Sequence, residues 1–209
     1  MRSFTPDFTA ELTELFRWRR DVRRFQKTPI PDALVTECLD LLRHAPSVGL
    51  SAPWRLVNVH SDAARAAAIA NFEAANAQAL SGYSGEQAER YAGLKLSGMQ
   101  DAPVHLAVFC DDATVKGSGL GAGTMPQMRA YSVVGAIMYL WLGARARGLG
   151  LGWVSILDPE QLCADLDVPE DWALVGYLCM GWPEIETETP ELIRAGWETE
   201  APKPEVLLR

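Results

Sequence analysis

Five arginines and one carboxylate fall within the nine residues Arg17-Trp18-Arg19-Arg20-Asp21-Val22-Arg23-Arg24-Phe25 of a chain whose net charge is −8. Guanidinium forks match phosphate and carboxylate geometry through paired donors. The run can therefore hold an anion, with Asp21 set among the cations for chemistry rather than for charge balance. A solvated, self-paired helix end has the same composition, and the run alone does not separate the two readings. Ala45-Pro46-Ser47-Val48-Gly49-Leu50-Ser51-Ala52-Pro53-Trp54-Arg55 is a second candidate, a loop offering backbone amides and hydroxyl donors beside rigid prolines. A third is Trp153-Val154-Ser155-Ile156, where an indole and a hydroxyl sit close together. Trp54 and Trp153 can each border a planar ligand, with core packing as the competing role.

These stretches need elements to position them. Phe8, Leu12, Leu15 and Phe16 fall at helical spacing, with Asp7 as cap, so a first helix should deliver the arginine run at its C-terminal end. Pro29 and Pro31 break the chain, and Leu34, Cys38, Leu41 and Leu42 mark a second helix ending near His44. Arg55 to His60 alternates as a strand, and Ser61 caps an alanine-rich helix to about Leu80. The glycine- and tyrosine-containing stretch 81–98 reads as a lid or an arm. Val104 to Cys110 reads as a central strand, and Asp111 to Met125 as an exposed loop. Pro126 should open the longest helix, apolar nearly all round to Arg147, in a core or a subunit interface. Trp153 to Leu157 and Ala173 to Met180 read as strands, separated by a helix with Asp158 as cap and Pro159 at its first position. The tail 184–209, rich in Pro and Glu, should run extended over a surface or a partner subunit. No linker divides the chain, so residues 1–209 form one domain in this reading.

Composition excludes several classes. A sequence pI near 4.9 argues against nucleic acid as partner. The longest apolar run, Val133 to Ala144, is too short to span a bilayer, and Met1 to Asp7 lacks the apolar segment of a signal peptide. Four cysteines without C-x-x-C pairing read as reduced thiols in a cytoplasmic protein. The three histidines show no ligand spacing, so no metal is expected. Gly148-x-Gly150-x-Gly152 lacks the dinucleotide-binding context, because it closes a helix and opens a strand; it reads as a helix cap with a tight turn. No phosphate loop or serine-hydrolase elbow is present. Arginine run, serine loop and Trp-Val-Ser strand jointly suit a phosphorylated aromatic ligand, a shape that flavin mononucleotide (FMN) has.

The ordered set R-R-D-V-R-R-F, A-P-S-V-G-L-S-A-P-W-R, A-P-V-H-L-A-V-F-C-D, T-M-P-Q-M-R-A-Y-S-V-V, G-L-G-L-G-W-V-S-I-L-D-P and Y-L-C-M-G-W-P resembles the nitroreductase superfamily of flavin enzymes, from about Phe16 to Trp197. Within it, the set is most similar to a branch that consumes its flavin. The resemblance implies an α+β fold, a central mixed sheet flanked by helices, and a homodimer with exchanged terminal arms and FMN at its interface. It assigns Arg19, Arg20, Asp21, Val22 and Arg23 to the flavin phosphate and ribityl chain, and Pro46 and Ser47 to further flavin contacts. Lys95 and Leu96 at the end of the lid, Ser155 and Ile156 beside the ring, and Arg194 in the tail complete the set. Asp21 stands where ordinary nitroreductases have serine. In this branch Asp21 and Ser155 are linked to catalysis, Asp21 as general base and Ser155 as the donor that positions oxygen added to the flavin. The neighbouring arginines should lower the pKa of Asp21.

The implied reaction is O2-dependent fragmentation of reduced FMN to 5,6-dimethylbenzimidazole, the lower ligand of vitamin B12, and erythrose 4-phosphate. Reduced FMN is then a substrate, supplied by a separate NAD(P)H flavin reductase. An NAD(P)H-dependent nitro, quinone or flavin reductase on the same fold, and a non-catalytic flavin-binding protein, remain as alternatives.

Overall fold

The computed structural model describes residues 3–94 and 97–209. Its centre is one long strand. β5 (Trp172–Pro183) carries β3 (Val104–Asp111) along one edge and β4 (Gly150–Val154) along the other, because Met180 lies opposite both Val104 and Leu151. β2 (Trp54–Asn58) pairs with the far edge of β3, and β1 (Phe25–Gln26) pairs with the end of β5 at Trp182 and Pro183. These pairings are antiparallel; a parallel bridge between Asp21 and Leu151 makes the sheet mixed.

Two-residue periodicity divides the core between the two faces of this sheet. Leu106, Val108 and Cys110 of β3 join Leu178 and Met180 of β5 on one face; Ala107, Phe109, Tyr177 and Cys179 point to the other. The first face is covered by α6 (Met128–Arg145), which buries Val133, Ala136, Ile137, Leu140, Trp141 and Ala144. Beside it lie α2 (Asp32–Asp40) and the 3-10 turn Leu41–His44. On the second face α3 (Asp62–Ser81) and α7 (Pro159–Asp165) contribute Ala68, Phe72 and Leu162. Both start on side-chain caps: Ser61 accepts from the Ala64 N–H, and Asp158 accepts from the Glu160 and Gln161 N–H groups. The α+β expectation with helices on both faces of a mixed sheet is met.

Several boundaries differ from the sequence reading. α1 (Pro6–Trp18) is capped by Thr5, which accepts from the Phe8 N–H, rather than by Asp7. The longest helix is α3, 20 residues against 18 for α6, since the chain before Met128 is held in turns. The strand expected at Trp153 starts earlier, at Gly150, and ends at Val154. Only Gly148, at φ +78°, serves the turn after α6. Gly150 and Gly152 belong to the strand, where pairing with β5 overrides their weak propensity. The stretch 81–98 contains α4 (Gly85–Gly93) and the start of α5 (Gly98–Asp101). The tail is extended except for α8 (Glu191–Arg194). Trp197 of the tail packs on Tyr83 and Tyr91 at centroid distances of 5.6 and 6.1 Å, clasping α4.

In the second core, the Tyr177 hydroxyl meets His105 Nδ1 at 2.9 Å with both side chains buried. Burial, reinforced by the Arg65 guanidinium, pushes His105 down to about 4 from its ordinary 6.5. The folded chain thus holds His105 neutral where the unfolded chain binds a proton. Its stabilising contribution is complete above pH 6.5 and is lost as pH falls toward 4. Urea unfolding should show stability falling by about 2 kcal/mol between pH 7 and pH 5. A midpoint flat over that interval would contradict a buried neutral His105.

Candidate functional site

Arg17 stays in the last turn of α1, paired with Glu14, and from Arg19 onward the arginine run is an extended strip. α1 stops at Trp18, and Arg19 already has extended backbone (φ −73°, ψ 108°). The strip then lies along the free edge of β4, with the Val22 N–H donating to the Leu151 carbonyl at 2.9 Å. Phe25 anchors its far end in the core. Each polar side chain goes to a different neighbour. The Arg19 guanidinium stacks over Trp141, 4.8 Å from the ring centroid. Arg20 donates to the Glu188 carbonyl and to the Arg19 carbonyl. Arg24 pairs with Glu191 at 3.5 Å.

Asp21 is held from two sides. Oδ1 accepts from the Trp153 N–H at 2.9 Å, and Oδ2 meets Arg23 Nε at 3.3 Å. The side chain keeps 39% exposure, while Arg23 keeps 14%. Burial raises the Asp21 pKa above its ordinary 3.8; the Trp153 N–H, Arg23 and Arg19 oppose that rise without cancelling it. The sequence expectation of a lowered pKa is therefore reversed. Three of the strip's cations are directed to Trp141, Glu188 and Glu191 rather than to Asp21, leaving desolvation dominant. Arg23 Nη1 is buried without a hydrogen-bond partner among the described residues.

Two recesses meet at Asp21, Val22 and Arg23. One, of about 40 Å³, is basic: Arg20, Arg24, Arg145 and Arg194 line it, with Glu186 and Glu191 between them. The other, of about 110 Å³, is largely apolar, lined by Phe72, Met99, Val154, Ile156 and Cys179, with the exposed Ser155 at its wall. The Ser155 turn is fixed from α3. Asn71 donates to the Asp158 carbonyl at 2.9 Å and accepts from the Asp158 N–H at 2.8 Å. Burial and the nearby Asp21 carboxylate push the Cys179 thiol up to about 12, so it stays protonated.

The structure thus brings Arg20, Asp21, Val22, Arg23, Ser155, Ile156 and Arg194 to these two connected recesses. Arg19 turns away to Trp141. Pro46 and Ser47 line neither recess: Ser47 Oγ accepts from the Ala52 N–H, and the adjacent Val48 N–H donates to Ser132 Oγ at the start of α6. Trp141, near the strip, is nine residues further along that helix, about 14 Å by helical rise. Lys95 and Leu96 lie outside the described residues. Arg24 belongs to the arginine run already read as an anion site; Arg145, Met99 and Cys179 were missed. Arg145 had one signal, standing one turn beyond Trp141 on the same helix; the others come together only through the sheet register. Among the described residues no cluster of three or more His, Cys, Asp and Glu could hold a metal ion, and no helix is long and apolar enough to cross a membrane.

Residues 16–182 match the nitroreductase family. The chain belongs to that family. It is 53% identical over 203 residues to a 5,6-dimethylbenzimidazole synthase of Rhodospirillum rubrum, covering 97% of this chain and 96% of the relative. A 5,6-dimethylbenzimidazole synthase of Rhodobacter capsulatus is 50% identical over 191 residues, covering 91% and 92%. Among solved structures, oxidised iodotyrosine deiodinase bound to FMN and 3-iodo-L-tyrosine superposes with a TM-score of 0.73 at 22% identity, covering 95% of this chain and 97% of that one. This nitroreductase-family fold places its two recesses on either side of one carboxylate.

The raised Asp21 pKa has a consequence for stability. Its contribution is favourable below pH 3.8, where the group is protonated in both states, and is lost as pH rises through the folded-state value. Asp21→Asn should therefore raise the melting temperature of the ligand-free protein at pH 7, by no more than about 1 °C because solvent screens the partly exposed carboxylate. The difference should shrink on acidification. Scanning calorimetry at both pH values checks this; a lower melting temperature at pH 7 would contradict it.

Proposed function

We propose that this protein catalyses the O2-dependent fragmentation of reduced FMN to 5,6-dimethylbenzimidazole and erythrose 4-phosphate. The structural observation that carries the reading is Asp21, a carboxylate fixed between a basic recess and an apolar one. Identity of 53% across nearly the whole of a relative named for the same product supports it.

The side chains suit the substrate. Arg20, Arg23, Arg24 and Arg194 would hold the phosphate, and Arg23 Nη1, buried and unpartnered among the described residues, is a donor that an anion would satisfy. Phe72, Val154 and Ile156 would border the flavin ring. Reduced FMN supplies both the electrons that activate O2 and the carbon skeleton of the product. Asp21 would take and return protons through Oδ2, and its raised pKa brings it nearer the working pH of a general base. Ser155, whose hydroxyl has no protein partner among the described residues, would donate to the oxygen side of the reaction. The protonated Cys179 keeps a second anion away from Asp21.

A homodimer completes this reading. The Pro46–Ser47 loop lies about 14 Å along α6 from the strip, and a second copy would bring its loop to the flavin. Tyr131, Val134 and Tyr139 of α6, 57%, 39% and 42% exposed, offer an apolar face for that contact. In our reading residues 1–209 are one domain, 81–98 act as lid, and the end of the tail reaches the partner. Its first part, through Arg20, Arg24 and Arg145, packs on its own chain. A separate NAD(P)H flavin reductase would supply reduced FMN, in a cytoplasm where the four free cysteines stay reduced.

Photoreduced FMN mixed with the protein and then exposed to air should lose its isoalloxazine absorbance irreversibly, with one benzimidazole formed per flavin lost. Clean reoxidation to FMN with rapid NADPH consumption would instead identify a reductase. Ser155→Ala should slow product formation on the order of 100-fold while leaving FMN affinity unchanged.

A further inference from the structure

The free edge of β4 is closed in an unusual way. Leu151 accepts from the Val22 N–H as in an ordinary parallel pairing. Continuing that ladder would give the next β4 donor, the Trp153 N–H, a main-chain carbonyl. It donates to the Asp21 side chain instead, at 2.9 Å. This substitution needs the strip to lie closer to β4 than a side chain would permit. A Cβ on Gly152 would stand 2.2 Å from the Val22 carbonyl oxygen, and one on Gly150 would stand 2.6 Å from Val22 Cγ2. The Gly152 obstacle is main chain, so it cannot swing aside as a flexible side chain can.

We propose that Gly152 and the Trp153 amide are positioning groups for Asp21: they commit Oδ1 to the edge of β4 and leave Oδ2 as the oxygen that exchanges protons with the substrate. A lone carboxylate would rotate between two equivalent oxygens. Here one oxygen completes the sheet, and the other meets Arg23 where the two recesses join. The catalytic part of this inference rests on the proposed FMN-fragmenting reaction; the hydrogen bond and the glycine contact do not.

The ionisable groups around Asp21 are Arg19, Arg20, Arg23 and Arg24 on its own strip and Cys179 on β5. Across the basic recess stand Arg145 of α6 and Glu186, Glu191 and Arg194 of the tail. The Trp153 N–H favours the ionised carboxylate, as Arg23 and Arg19 do. Withdrawing that donor must raise the Asp21 pKa further, and a base needed in its ionised form then loses activity at higher pH.

Two measurements test the proposal. In full-length, ¹⁵N-labelled protein, the Trp153 amide proton should move with pH as Asp21 titrates and should stop moving in Asp21→Asn. This readout needs no substrate and no turnover, so its outcome is separate from that of the proposed reaction. In Gly152→Ala, displacement of Val22 and Asp21 by even 1 Å should cut turnover on the order of 100-fold. It should also shift the acid limb of the kcat profile to higher pH, whereas general damage would lower the profile without moving the limb. Should the alanine variant not fold, the amide titration in the wild-type chain decides alone. An amide that ignores pH in the wild type overturns the proposal. So does a folded Gly152→Ala protein with wild-type turnover and an unmoved acid limb.

Discussion

The close passage of the Arg19–Arg24 strip along β4 is the constraint on which the rest of the site depends. It exists because β4 presents glycine at positions 150 and 152, where any Cβ would meet Val22. β4 in turn is fixed by its antiparallel register with β5, the strand shared by both cores. The strip's far end is fixed by Phe25, 1% exposed. Between these anchors the backbone has little freedom, and the strip's side chains are dealt out to distinct neighbours. The site is held accurately because its strip is tied to the sheet edge at Asp21 and Val22 and anchored in the core at Phe25.

Electrostatics at this strip run against simple counting. Asp21 stands among arginines, yet its pKa rises, because burial outweighs the neighbouring positive charge. Arg19 spends its charge on the face of Trp141, and its own pKa is lowered by burial, then by Arg20. Arg20 and Arg24 are turned to the tail. What remains in contact with the carboxylate among the described residues is Arg23, one nitrogen of which has no hydrogen-bond partner there. A buried donor and a destabilised carboxylate are costs to the ligand-free fold, of the kind that active sites retain because the substrate relieves them. The tail adds a further link, holding the arginines through Glu188 and Glu191 and clasping α4 through Trp197.

Much of this was legible in the residues. The apolar run Val104 to Cys110, the Ser61 and Asp158 caps, and the apolar α6 all carry strong local signals, and each became the expected element. The nitroreductase resemblance could also be read, because the motifs are ordered and nearly span the chain. The glycine run misled: Gly148-x-Gly150-x-Gly152 looks like a helix cap by local propensity, and only the register with β5 shows that two of its glycines are strand residues making room for Val22. Likewise Asp21 appeared as a carboxylate stabilised by cations, since a sequence shows which charges are near in the chain and not where their side chains turn. Arg145, Met99 and Cys179 reach the site from elements distant in sequence, and no spacing rule brings them together.

In the proposed reaction, binding and destruction of the flavin fall to different residues: the arginines would hold the molecule, and Asp21 would turn it over. The most direct test is a single turnover of Asp21→Asn protein loaded anaerobically with photoreduced FMN and then exposed to O2. The account predicts FMN affinity within about threefold of wild type, less than 1 kcal/mol, and full recovery of the isoalloxazine spectrum with no benzimidazole. Benzimidazole formed at the wild-type rate by that variant would contradict it.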